Sequence, residues 1–237
     1  TSGDIKFLIS DTPDFPEDQV HAIARRLFGI DGDLKFLDSD RDLNFRLRND
    51  DGTWVLKFFH PEEDAGVIDF QTHALLHIAE TDPDLLVPWV TPTKRGLPFG
   101  KAKAPDGRTS IVRLLGWVPG TDLHLVPDTR NLRHSTGALV ARLDRALQGF
   151  HHPSAIHTLV WDIKQSPALR IHTGDIKNRG RRRSCEKALD QFIDHVLPRW
   201  THLRSQVIHN DANMANVVVD PARPDTAVGV IDFGDMI

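Results

Sequence analysis

The chain has one cysteine, Cys185, in 237 residues, so an intramolecular disulfide and a thiolate-based metal site are both excluded. A reducing, cytoplasmic setting is the expectation. No stretch of eighteen apolar residues occurs, and the Thr1 to Lys6 segment lacks the basic start and apolar run of a secretory signal, which argues against membrane insertion and that route of export. Basic charge is not in excess either. Lys and Arg total 29 against 33 Asp and Glu, a formal charge of −4, which argues against nucleic-acid binding driven by overall charge. With 40% apolar residues the chain can build a real core, and no repeat or low-complexity tract marks it as fibrous or disordered.

Apolar residues at Val20, Ile23, Ala24, Leu27 and Phe28 have helical spacing after Pro16 and before Gly29. The pattern then changes to short strand-like runs around Leu34 to Leu37, Asn44 to Arg48 and Trp54 to Phe58, with Asp50-Asp51-Gly52 as a hairpin turn. A helix is expected over about 61–79, and strands resume near 97–104 and 111–115. These elements predict a five-stranded antiparallel sheet with a helix inserted after its third strand. Gly116 to Gly120 reads as a linker. Beyond it, helices are expected over 128–147 and 184–203, followed by short apolar segments at Val207-Ile208, Val217 to Val219 and Val228 to Ile231. The expected architecture is α+β, divided as residues 1–115, a hinge at 116–120, and a mostly helical portion at 121–237.

The strongest chemical signal is His209-Asn210-Asp211-Ala212-Asn213-Met214-Ala215-Asn216, followed by Ile231-Asp232-Phe233-Gly234-Asp235. Phosphoryl transfer to an alcohol needs a carboxylate to orient the hydroxyl and take its proton, and Mg²⁺ needs hard oxygen ligands beside the phosphates. Asp211 suits the first role, and Asn216 with Asp232 suits the second. His209 is expected to hold the loop, and Asp235 to assist the metal or cap the segment after it.

These motifs resemble the aminoglycoside phosphotransferase and choline kinase family of kinase-like enzymes. The resemblance implies a bilobal protein-kinase-like fold that uses ATP and Mg²⁺. It makes Lys57, on the third strand, the residue that contacts the nucleotide phosphates, with Asp69 as its acidic partner. In place of a glycine-rich turn stands Asp38-Ser39-Asp40-Arg41-Asp42-Leu43-Asn44-Phe45, without a glycine, so Ser39, Arg41, Asn44 and backbone N–H groups are the candidates for covering the phosphates. Leu114 to Gly120 falls at the position of a kinase hinge, which makes Leu115 and Trp117 candidate neighbours of adenine. The run from Ser39 to Leu47, Asp69-Phe70-Gln71, Gly149 to Pro153 and Trp161-Asp162 look most like the hydroxylysine kinase branch, which includes bacterial proteins fused to a class III aminotransferase. The acceptor implied is a small alcohol, such as hydroxylysine or another amino alcohol. Aminoglycosides, choline and homoserine are alternatives, and a nucleotide-binding regulatory module without turnover is a different one. The family continues with further helices after the D-F-G-like motif, so the chain is expected to be an N-terminal portion of the enzyme.

Other features read as structural. His73 and His77 are four apart on the inserted helix but have no H-E-x-x-H companion, so they are expected to be packing or surface groups, as are His151 and His152. Lys177 to Arg183 is expected to be a solvated basic loop. Cys185 lies beside it without a histidine motif that would make it a nucleophile.

Overall fold

The computed structural model describes residues 14–39, 41–159 and 161–237. The Thr1 to Lys6 start and Asp40 of the glycine-free turn lie outside the described residues. The first helix, α1 (Glu17–Phe28), has Glu17 and Asp18 in its first turn, Arg25 and Arg26 in its last, and Gly29 at φ 77° as its C-cap. That charge order complements the helix dipole, and the left-handed cap favours glycine.

Strands β1 (Asp33–Leu37), β2 (Leu43–Asn49) and β3 (Gly52–Phe58) form an antiparallel meander, and β3 then pairs with β6 (Thr109–Gly116). The free edge of β6 is shared by β4 (Val90–Thr91) and β5 (Gly100–Lys103). Among the described residues the sheet therefore has six strands rather than five. The additional one is the two-residue β4, too short to leave a periodic signal. Gly116 closes β6 beside Trp89; a Cβ at this position would run into the indole, so the close packing requires glycine.

Strand parity divides the sheet into two faces. Phe45, Leu47, Leu56, Phe58, Val112 and Leu114 pack against Val20, Ile23, Ala24 and Phe28 of α1. The opposite face carries a cross-strand row of Asn44, Lys57 and Arg113, because Asn44 pairs with Lys57 and Lys57 with Arg113. One step along, Val55 lies opposite Leu115 on that same face.

Helix α2 (Ala65–Thr81) starts at Asp64, whose carboxylate accepts the Gly66 N–H at 2.7 Å. Its Phe70, Ala74, Leu75 and Ile78 join a second core with Leu139, Leu143 and Leu147 around α3 (Arg130–Ala146), and with Val217, Val230, Phe233 and Met236 near the C-terminal end. A second sheet consists of β7 (Thr121–Asp122), β8 (Val217–Asp220) and β9 (Arg223–Val230). Val207-Ile208 does not form a strand, although Ile208 and Ile237 exchange backbone hydrogen bonds.

The helix expected over 184–203 is broken and shifted. Helix α4 (Arg179–Gln191) passes into a π-turn over Phe192–Val196 and a 3₁₀ segment over Leu197–His202. Pro198, which has no N–H to donate, accounts for the break. The basic run is also not a loop: Asn178 caps α4 by accepting the Arg181 N–H, which draws Arg179 to Arg183 into the first helical turns. Among the described residues, no helix is long and apolar enough to cross a membrane.

Candidate active site

The loop before β8 and the end of β9 are fixed together by the β8–β9 hairpin. Val217 pairs with Val230, and the Ile231 N–H donates to the Asn216 carbonyl at 2.8 Å, so Asn216 and Asp232 emerge side by side. Residues sixteen positions apart meet through strand register alone. His209 is buried. Its Nε2 bonds to the Ile231 carbonyl at 3.0 Å, its Nδ1 accepts the Asp211 N–H at 3.3 Å, and burial pushes its pKa down. It ties the Asp211 loop to the strand that carries Asp232.

Asp211 is held by amides. Asn213 Nδ2 donates to both of its carboxylate oxygens, at 2.9 and 3.1 Å, and Asn216 Nδ2 donates to Oδ2 at 2.8 Å and to the Asp211 backbone carbonyl at 2.9 Å. With its amide hydrogens committed there, Asn216 has its carbonyl oxygen left for a hard cation. Asp232 has φ 59° and Asn210 has φ 65°, left-handed conformations uncommon outside glycine and best tolerated by Asp and Asn. Asp232 Oδ1 accepts the Gly234 N–H at 3.1 Å. The charge of nearby Lys57 holds the Asp232 carboxyl below its usual range despite burial.

A cleft of about 410 Å³ lies between the two sheets, lined by polar side chains that include Asn44, Lys57, Arg113, Asn216 and Asp232 and by apolar ones that include Val55, Leu115, Trp117, Val118 and Phe233. That size and mixed lining match a site for a small ligand with both charged and apolar parts. Asn44 Oδ1 is buried without a partner among the described residues, a polar atom left to be satisfied from the cleft. The N–H groups of Gly116 and Trp117 already donate to the carbonyls of Trp89 and Thr53, at 2.8 and 3.0 Å, so they are not the ones that would read a base.

The partner of Lys57 is not Asp69. Lys57 Nζ lies 2.7 Å from Asp42 Oδ2, and Asp42 Oδ1 accepts the His60 N–H at 2.9 Å. Burial works against the ammonium, yet Asp42 and Asp232 outweigh it and raise the Lys57 pKa. Asp69 instead points away from the cleft, with Oδ2 3.1 Å from His152 Nε2 and Oδ1 3.3 Å from His73 Nδ1. The face of α2 that reaches the site is carried by Gln71, whose Nε2 donates to the Gly234 carbonyl at 2.9 Å, and by Thr72, whose hydroxyl accepts from Arg113 Nη1 at 2.8 Å.

Of the three residues expected to cover the phosphates, Asn44 lines the cleft and Ser39 does not. Arg41 makes a 2.9 Å ion pair with Asp235 and lies 5.4 Å from the Trp161 ring centroid. Three residues that contact the site were not singled out in the sequence, Asp42, Gln71 and Arg113, nor was Glu63, which feels the charges of Arg41, Asp42 and Lys57. Asp42 had a signal, an acid directly before β2. Arg113 had one too, a cation inside an apolar strand; it is 2% exposed, lies 4.8 Å from the Phe59 ring centroid, and burial lowers its pKa to about 10.

A sheet with a buried lysine, a cleft, and a carboxylate loop followed by a second carboxylate after the next strand together define a kinase-like phosphotransferase site. Residues 33–236 match the model of the phosphotransferase enzyme family (APH), and the chain belongs to that family. It is 27% identical to the hydroxylysine kinase of Mus musculus over 94% of this chain, and spans about 65% of that relative's length. Among solved structures, the fold is similar to a microcompartment-associated aminopropanol kinase, with a TM-score of 0.66 and 17% identity over 94% of this chain and 70% of that one. It is also similar to the amicoumacin kinase hAmiN, in complex with AMP-PNP, Ca²⁺ and its antibiotic, with a TM-score of 0.65 and 14% identity over 94% of this chain and 65% of that one.

Proposed function

We propose that this chain transfers the γ-phosphate of ATP to the hydroxyl of a small amino alcohol, with hydroxylysine as the first acceptor to test. The observation that carries this reading is the convergence of Lys57, Asn216 and Asp232 in one cleft, next to the Asp211 loop. Val55, Leu115, Trp117 and Phe233 offer an apolar slot suited to adenine. Lys57 and Asn44 face the phosphates, and Arg41 is within the loop that would cover them. The Asn216 amide oxygen and the Asp232 carboxylate are a hard-donor pair suited to Mg²⁺, which when bound would neutralise charge between the β and γ phosphates. Asp211, oriented by two asparagine amides, orients the acceptor hydroxyl and takes its proton.

The similarity to a hydroxylysine kinase and an aminopropanol kinase supports an amine-bearing acceptor. The test is ADP release with Mg-ATP against hydroxylysine, 1-amino-2-propanol, ethanolamine, choline, homoserine and aminoglycosides. Asp211→Asn is expected to lower kcat by roughly 10²- to 10⁴-fold while leaving the affinity for Mg-ATP within about threefold. Full turnover in that variant, or no acceptor-stimulated ADP release from the panel, would retire the reading.

A further inference from the structure

The metal-side carboxylates are not all used by the chemistry above. Asp235 follows Asp232 by three residues and is largely buried, with its side chain 18% exposed. Burial raises its pKa, with Asp232 and Asp211 adding to the effect and Arg41 opposing it. A carboxylate so placed needs a cation beside it. Arg41 supplies one, its Nη2 2.9 Å from Asp235 Oδ1, and the same guanidinium lies 5.4 Å from the Trp161 ring centroid. A carboxylate on one side and an indole face on the other is a general solution for holding an organic cation. Trp161 itself is 44% exposed, far more than the residues of either core, so packing does not account for its position.

Arg41 belongs to the segment before β2 that would cover the phosphates, and its neighbour Asp42 is the one that holds Lys57. A triphosphate in the cleft competes for a guanidinium in that segment. Once Arg41 turns toward the phosphates, Asp235 is left buried next to two other acids without its counter-ion, and the Trp161 face is uncovered. We propose that Asp235 and Trp161 form the subsite for the ammonium group of an amino-alcohol acceptor, and that Arg41 occupies it while the nucleotide cleft is empty. This rests on the kinase reading above and names the acceptor's charge and the residues that read it. The acceptor ammonium replaces the guanidinium, so it binds after the nucleotide.

The experiment compares 1-amino-2-propanol with 1,2-propanediol on the full chain, by ADP release and by calorimetric binding in the presence of Mg-AMP-PNP. Trp161→Leu is expected to lower the amine-to-diol preference in kcat/KM, and the affinity for the amine, by about tenfold, the size of a partly desolvated cation–π contact. Trp161→Phe should restore most of it, and the affinity for Mg-AMP-PNP should stay within about twofold in both variants. Arg41→Ala should bind the amino alcohol without nucleotide, whereas the unmodified chain should require it. An unchanged preference and affinity in Trp161→Leu would overturn the subsite. Binding that is lost in Trp161→Leu but accompanied by no ADP release from any acceptor would retire the kinase reading and keep the subsite. Turnover indifferent to Trp161 would do the reverse, and an absence of both binding and turnover would remove both.

Discussion

Replacing Asp42 by Asn tests which carboxylate holds Lys57. The Lys57 and Asp42 side chains are 11% and 9% exposed and 2.7 Å apart, so the pair is shielded from solvent. Removing one charge from such a pair typically costs about 3–5 kcal/mol, because the other is left buried without its counter-ion. Two features pull the expectation to the low end. Asn keeps an oxygen for the His60 N–H, and Asp232 still attracts Lys57. A loss of about 3 kcal/mol is therefore expected, and with a urea slope of about 3 kcal/mol/M that is a midpoint shift of about 1 M. The pH dependence has a definite sign. Because the folded-state pKa of Lys57 is raised, its contribution is fully present below the unfolded value of 10.5 and is lost only as pH rises through the higher folded value. The difference between Asp42→Asn and the unmodified chain, so far as Lys57 sets it, should then be flat from about pH 6 to about pH 9. Asp69→Asn is the control: its carboxylate is 37% exposed and meets histidines, so about 1 kcal/mol is expected. If Asp69→Asn were the more damaging of the two, or Asp42→Asn cost less than about 1 kcal/mol, the assignment of the lysine partner would be wrong.

Glu63 lies within electrostatic reach of Arg41, Asp42 and Lys57, and burial raises its pKa from 4.5 to about 7. Its protonated form favours the folded state, so stability is fully present below the unfolded pKa and is lost as pH rises through about 7; Glu63→Gln should flatten this fall of about 1–3 kcal/mol in urea midpoints measured across pH. Gln71→Leu removes the 2.9 Å bond to the Gly234 carbonyl, so it should cost about 1 kcal/mol of stability and weaken the Mg²⁺ dependence of ATP-analogue binding several-fold, both measurable by thermal shift and calorimetric titration.

The motifs beside the cleft were legible because strand register brings them together. Asp211, Asn216 and Asp232 flank two adjacent antiparallel strands, and Lys57 follows strand parity, so their order in sequence determines their meeting. Sites that depend on helix rotation were not legible in the same way. Counting 100° per residue along α2, Asp69 lies about 160° from Gln71, so Gln71 meets Gly234 while Asp69 meets His152; Thr72, between the two, reaches Arg113. Spacing from Lys57 alone gave an acid in the correct helix but on a different face. The length of β4 and the break at Pro198 are tertiary and local-geometry effects of the same kind, invisible to a periodicity of 3.6 or 2.

The exchange of Asp69 for Asp42 changes how the site can respond to a bound ligand. A counter-ion on α2 would be fixed to the second core through Phe70, Ala74 and Leu75. Asp42 instead belongs to the segment that enters β2, next to Arg41, and these two neighbours hold opposite sides of the site: Asp42 binds the lysine of β3, and Arg41 binds Asp235 after β9. Any displacement of that segment loosens both ion pairs together. The absence of glycine from the turn is then consistent with its contacts, since side chains rather than bare backbone amides make the ties, and a substitution at either residue should be felt at the other. Coupling of this kind is measurable as a double-mutant cycle between Asp42→Asn and Asp235→Asn, where an interaction energy above about 0.5 kcal/mol is expected and strict additivity would show that the two ends of the segment act independently.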